Sequence, residues 1–363
     1  MKIGILTFHT AHNYGAVLQA YALTRYIQSL GHDAEVIDYR AEFNTKRFAP
    51  KPLKSYFSIR ELYSIIFRNA YQHPCSEAFS DFYKNYQTLS KVIYSKDNLY
   101  QVEDIYDRIV VGSDQIWNLA CTIGDDAYFL PFVRHEDKKF AYAASFGITS
   151  VKTEERSKIK NYISSFNAIS VREKEGVNIV RELTGKEAIP VIDPTLLLSK
   201  KEWAQIANYS RCPEHPYLLI YLMSEDMDLL HFAKLYAQFH HLKIAYISQR
   251  LFKRIRGLHL RDVTPNQWLG LFLNADTIVT NSFHGSVFGV NLKKNLFIKY
   301  IPRSIANSRM KNIIDDYQLD SHLLTEDNIR KTDFPPIDTK CVGEFLAINR
   351  ERSYQFIQKQ ILG

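Results

Sequence analysis

The stretch Thr277–Gly289, TIVTNSFHGSVFG, sets a histidine among small residues where a strand should turn into a helix. Val, Ile and Thr favour a strand over Thr277–Thr280, and Asn281–His284 makes a sharp polar turn before a helix opens at Gly285. The first amides of a helix have no partner within it, and the helix dipole adds partial positive charge there. Such an end attracts phosphate or carboxylate. His284 would stand at that point with an imidazole, the side chain that ordinarily changes charge near neutral pH. Ser282, Gly285 and Ser286 are small and leave room for a ligand. The plain alternative is a histidine that caps the helix or fills a packed turn.

Other chemistry gathers past other strand ends. His9–Gly15 (HTAHNYG) follows the strand Lys2–Thr7, which places His9, His12, Asn13, Tyr14 and Gly15 in a crevice. The strand Arg108–Gly112 runs into Ser113, Asp114, Gln115 and Trp117. Asp114 suits a base or a hydroxyl anchor, or a helix cap; Trp117 suits a sugar-stacking face, or core packing. Arg172 stands directly after the strand Ala168–Val171, well placed to bind phosphate or carboxylate in bidentate fashion. Its alternative is a surface salt bridge with Glu173 or Glu175. Arg303 and Arg309 sit in a basic segment, Arg303–Lys311, as further anion ligands or as solvated charge.

The elements needed to hold these residues repeat one pattern. Lys2–Thr7, a helix over Ala16–Leu30 with apolar residues at helical period, and Ala34–Tyr39 make a βαβ unit. Such units build parallel sheets. No G-x-G-x-x-G follows the first strand, so a dinucleotide is not indicated. Strands at Arg108–Gly112, Lys139–Ala144, Ala168–Val171 and Ile189–Ile192 alternate with helices near Lys152–Ser165 and over 173–184. The pattern breaks at Ser199–Pro216 and restarts with a strand at Tyr217–Met223, a helix at Glu225–His240 and a strand at Lys243–Ser248. A Thr264-capped helix then leads into the opening stretch, and a strand at Leu296–Lys299 follows it. The reading is α/β, with two Rossmann-like domains facing a cleft: 1–205 on the acceptor side, 206–340 carrying the donor anion site, and a helix in 341–363 packing back on the first domain. Arg40–Tyr100 reads as two helices with connecting loops inserted at about 41–100, and Arg250–Arg261 as a basic loop.

Composition narrows the classes further. With 363 residues, 46% hydrophobic and 23% charged, the chain is an ordinary globular protein of two-domain size. The formal net charge of +7 suits an anionic small substrate or an anionic membrane surface. No Lys/Arg run singles out nucleic acid. Four scattered cysteines form no metal-ligand spacing and read as reduced thiols. No apolar run is long enough to span a bilayer, and the start shows no signal-peptide core, so the expectation is a cytoplasmic protein with room for peripheral membrane contact.

Taken in order, ILTFHTAHNYGAVLQAYAL, VVGSDQIWN, YAASFG, ISVRE, VIDPTLLL, TNSFHGSVFGV and NSRMKNII resemble the polysaccharide pyruvyl transferases, from Ile5 to about Ile314. The resemblance implies a GT-B-like fold. It implies transfer of a pyruvyl group from phosphoenolpyruvate to two hydroxyls of a sugar, or of a lipid-linked oligosaccharide, as a cyclic ketal. It brings Arg172 and His284 onto the family's arginine and histidine. Many members carry Arg-Leu-His where this chain has Ser282-Phe283-His284, and Arg303 or Arg309 would have to supply that charge. In this scheme Arg172, Arg309 and the amides at Gly285 bind the donor, His284 transfers a proton, and Asp114 orients or deprotonates the acceptor. Ser282, Ser286, Asn13, Tyr14, Gly15, Ser113 and Gln115 line the substrates. The scheme calls for no metal and no cofactor beyond the co-substrate. A nucleotide-sugar glycosyltransferase and a non-catalytic sugar-binding relative remain the other readings.

Overall fold

Short apolar runs bounded by polar turns set the architecture. In the computed structural model, which describes residues 1–42, 77–248, 255–304 and 307–363, they form two parallel sheets. The first holds β1 (Lys2–Leu6), β2 (Asp33–Tyr39), β3 (Leu89–Tyr94), β4 (Arg108–Val111), β5 (Lys139–Ala144), β6 (Ala168–Val171) and β7 (Ile189–Pro190), in the order β3-β2-β1-β4-β5-β6-β7. The second holds β8 (Tyr217–Tyr221), β9 (Lys243–Ile247), β10 (Leu258–Leu260), β11 (Thr277–Thr280) and β12 (Asn295–Ile298), in the order β10-β9-β8-β11-β12. The central strands β5, β8 and β11 are buried at every residue, as expected for parallel sheets covered on both faces.

The helices are α1 (Tyr14–Ser29), α2 (Thr153–Ser164), α3 (Lys174–Thr184), α4 (Lys200–Ile206), α5 (Met227–Phe239), α6 (Pro265–Asn274), α7 (Phe283–Asn291), α8 (Asn307–Tyr317) and α9 (Thr339–Phe356). Thr264 opens α6 with a capping box and Pro265 at its first position. In each sheet the strand order reverses once, between β1 and β4 and between β8 and β11. Crevices form beyond the carboxyl ends of strands at such points. The loops after β1, β4 and β11 therefore carry the candidate residues.

One apolar cluster runs through both sheets. The Tyr14 ring, on α1, stacks 5.5 Å from Trp268 on α6, and its hydroxyl donates to the Val263 carbonyl at 2.8 Å. Trp203 lies 5.8 Å from Tyr21 and 5.2 Å from Phe288, again joining the two halves. The last helix packs on the first sheet's side: Arg350 donates to the carbonyls of Leu196 and Leu198, and Tyr354 stacks on Tyr26.

Two stretches depart from the sequence reading. Residues 77–86 are helical, but Leu89–Tyr94 is a strand, β3, at the edge of the first sheet. Its exposed middle residues, Lys91 to Ile93, do not alternate, so the pattern hid it. Likewise Leu258–Leu260 is an edge strand, β10, inside what reads as a basic loop. The rest of the segment expected to hold two helices and the start of that loop fall at 43–76 and 249–254, outside the described residues.

Candidate active site

The turn from β11 into α7 meets the turn from β1 into α1. Asn13 caps α1: its side chain accepts from the Gly15 and Ala16 amides at 2.9 and 3.3 Å. Ser282 caps α7, its hydroxyl accepting from the Gly285 amide at 3.3 Å. The two capped ends touch through His284 and Gly15. A Cβ built on Gly15 would fall 2.0 Å from the imidazole Cγ and Nδ1. Only glycine lets the histidine ring occupy that space.

The small residues of the turn do not make a ligand pocket. A Cβ on Gly285 would fall 2.4 Å from the Thr280 hydroxyl, and the Ser286 hydroxyl donates to the Ser282 carbonyl at 3.0 Å. In this structure the groups of Ser282, Gly285 and Ser286, expected to bind a substrate, close the turn on itself. Asn13 is likewise spent on capping, and Tyr14 on joining the two halves. Ser113 is fully buried, its hydroxyl donating to the Ala143 carbonyl and its amide to the Gln19 side chain. Gln115 accepts from Asn118. Trp117 is completely buried and donates to the Tyr128 carbonyl, which is the packing role. His9 is not in a crevice but buried, with Asp38 at 3.0 Å. Arg303 is exposed.

Arg172 is the hub of what remains. Its side chain is 2% exposed. Its Nε donates to Glu173 at 3.1 Å and one terminal nitrogen to Asp193 at 2.8 Å. The other terminal nitrogen lies 3.6 Å from Asp114 and makes no hydrogen bond. The pair with Glu173 exists, but it is buried rather than superficial. Burial opposes the cation, yet Glu173, Asp193 and Asp114 together raise its pKa. Asp114 itself has φ +69°, the left-handed region that costs a non-glycine residue, and such strain gathers at functional sites.

Asp193, just past β7, is the partner that the sequence reading passed over. Its Oδ1 accepts from the Thr195 amide at 3.0 Å and hydroxyl at 2.7 Å. Its Oδ2 takes Arg172 and lies 3.6 Å from His284 Nε2. Burial works against this carboxylate, but His284, Arg172 and Thr195 hold it well below the usual carboxylate range. The available signal was its position: an aspartate directly after a strand, beside Arg172 in the sheet order.

Arg309, on α8, is buried differently. It is 8% exposed, its Nε has no hydrogen-bond partner, and no carboxylate pairs with it among the described residues. Burial and the charge of Arg172 lower its pKa. Both guanidiniums lie over the Phe283 ring, Arg172 at 4.5 Å and Arg309 at 5.4 Å from its centre. Arg172, Asp193, Phe283 and Arg309 line a cavity of about 460 Å³ between the two sheets and α9. Asp114 and His284 reach it only at second hand, through Arg172 and Asp193. Two buried cations thus stand beside one cavity, and Arg309 has no paired carboxylate among the described residues, though Glu173 and Asp114 act on it from farther off.

Comparison with solved structures gives the fold class. UDP-GlcNAc 2-epimerase from Methanocaldococcus jannaschii matches with a TM-score of 0.51 at 11% identity, over 96% of this chain and 99% of that one. The Neisseria meningitidis enzyme of the same name, solved with UDP-GlcNAc, matches at 0.44 and 12% identity, over 98% and 100%. Escherichia coli ADP-heptose heptosyltransferase II matches at 0.36 and 11% identity, over 98% and 100%. The architecture is the two-domain GT-B-like one, with two Rossmann-like halves. A search of curated proteins returns no match. The model of the family described as polysaccharide pyruvyl transferase matches residues 13–298, and the chain belongs to that family.

Proposed function

We propose that the protein transfers a pyruvyl group from phosphoenolpyruvate to two hydroxyls of a sugar in a surface polysaccharide or its lipid-linked precursor. Family membership supports a transferase acting on polysaccharide. The observation that carries the donor is Arg309, a buried cation beside a cavity with no paired carboxylate among the described residues. Burying a lone charge is costly, and a bound anion removes that cost. Phosphoenolpyruvate brings a carboxylate and a phosphate. In this reading Arg309 and the unbonded terminal nitrogen of Arg172 hold them.

The chemistry then balances simply. The methylene carbon of the donor takes a proton, and the adjacent carbon becomes electrophilic. One sugar hydroxyl bonds to that carbon. The carbon–oxygen bond to phosphate breaks, and the second hydroxyl closes the ketal. Of the two hydroxyl protons, one ends on the new methyl group and the other on phosphate. His284 moves a proton, and Asp114 orients or deprotonates a hydroxyl. The net charge of +7 favours a lipid-linked acceptor at an anionic membrane.

The test is incubation of the protein with phosphoenolpyruvate and a panel of sugar acceptors, free and lipid-linked. Carbon NMR should show a new ketal carbon, with one phosphate released per product. Transfer of a sugar from a nucleotide donor, with phosphoenolpyruvate inert, would overturn the reading in favour of glycosyl transfer.

A further inference from the structure

Three carboxylates surround the arginine hub, and two of them, Glu173 and Asp193, have no part in the scheme above. We infer that Asp193 is a positioning residue that holds His284 through Nε2, leaving Nδ1 as the nitrogen that moves the proton. This rests on the reading of His284 as the proton-transfer group.

His284 Nε2 is enclosed and has no hydrogen-bond partner among the described residues, and Asp193 Oδ2 faces it at 3.6 Å. A buried donor left unpaired costs free energy, and catalytic hydrogen bonds often shorten only when substrate binds. The carboxylate is well anchored to receive it. Thr195 fixes Oδ1 with two bonds, and Arg172 fixes Oδ2 at 2.8 Å. An ionised carboxylate only accepts, so the proton on this side of a neutral imidazole sits on Nε2. The lone pair then sits on Nδ1.

The arrangement also joins the two halves of the molecule. Asp193 comes from the first sheet's side and His284 from the second's. The same oxygen, Oδ2, serves both Arg172 and His284.

Nitrogen-15 NMR of histidine in the whole protein tests this directly, with His284→Gln assigning the signals. Above the titration of the ring, wild type should show the tautomer with the proton on Nε2. In Asp193→Asn the two tautomers should mix. That variant should also lose kcat by about 10²–10⁴-fold, while KM for phosphoenolpyruvate moves less than about threefold. If Asp193→Asn does not fold, Thr195→Val loosens the same carboxylate and should mix the tautomers more weakly. A wild-type tautomer with the proton on Nδ1, or full kcat in Asp193→Asn, would overturn the inference. Should phosphoenolpyruvate prove inert with wild type, the proposed function falls, and the tautomer alone decides the role of Asp193.

Discussion

Each half of the molecule brings one arginine to Phe283, and the two are buried in opposite ways. Arg172, at the end of β6, pairs with Glu173 and Asp193 and lies near Asp114. Arg309, at the start of α8, has no carboxylate pair among the described residues. The residue type and the near-complete burial are the same. In the proposed reading the surroundings divide the labour: the guanidinium wrapped in carboxylates is fixed in place and offers the donor one nitrogen, and the one without a paired carboxylate is kept for the donor. The raised pKa of the first and the lowered pKa of the second follow from that difference.

The largest effect should come from the wrapped arginine. Arg172→Met strands Asp193 and Glu173 as buried charges, which costs roughly 3–5 kcal/mol. Urea unfolding should show it; a loss under about 1 kcal/mol would erase the distinction between the two sites. Arg309→Met should behave conversely. Activity with phosphoenolpyruvate should fall at least about 10²-fold, while stability stays within about 1 kcal/mol of wild type or rises, since an unpaired buried cation is removed.

Gly15→Ala tests how tightly the two capped turns meet. Its methyl would overlap the His284 ring, so the ring must leave its place. A drop of about 10²-fold in kcat is expected, because misplacing a catalytic group by about 1 Å costs that much. Unchanged turnover would show that the ring position is unimportant.

The smallest effect is in acid. The folded-state pKa of Asp193 is depressed, so its stabilising contribution is complete above its ordinary pKa of about 3.9. That contribution is lost as the pH falls from there toward its lowered value. Asp193→Asn should therefore flatten the loss of stability between about pH 4 and pH 2. Parallel curves for variant and wild type would contradict this.

Much of this was legible beforehand. The alternation of apolar strands and amphipathic helices predicted both sheets, because buried parallel strands must be continuously apolar. The site was legible in part. Arg172, His284, Asp114 and Arg309 all come to one junction, since each follows a strand end or opens a helix beside one. Two things were not legible. Ser282, Gly285 and Ser286 read as open space, but smallness serves close packing as well as it serves a ligand. Asp193 and Phe283 gain their roles only from contacts between chain segments far apart in sequence. No local pattern encodes those contacts. The edge strand β3 was missed because its exposed middle residues, Lys91 to Ile93, do not alternate, and β10 because it is only 3 residues long.

The central claim is that Arg309 is the cation kept for the donor. Titration calorimetry of phosphoenolpyruvate into wild type and Arg309→Met, with UDP as a control, tests it most directly. The account predicts binding to wild type, a loss of at least about tenfold in affinity in the variant, and no binding of UDP. Equal affinity for phosphoenolpyruvate in both proteins, or UDP binding in its place, would contradict it.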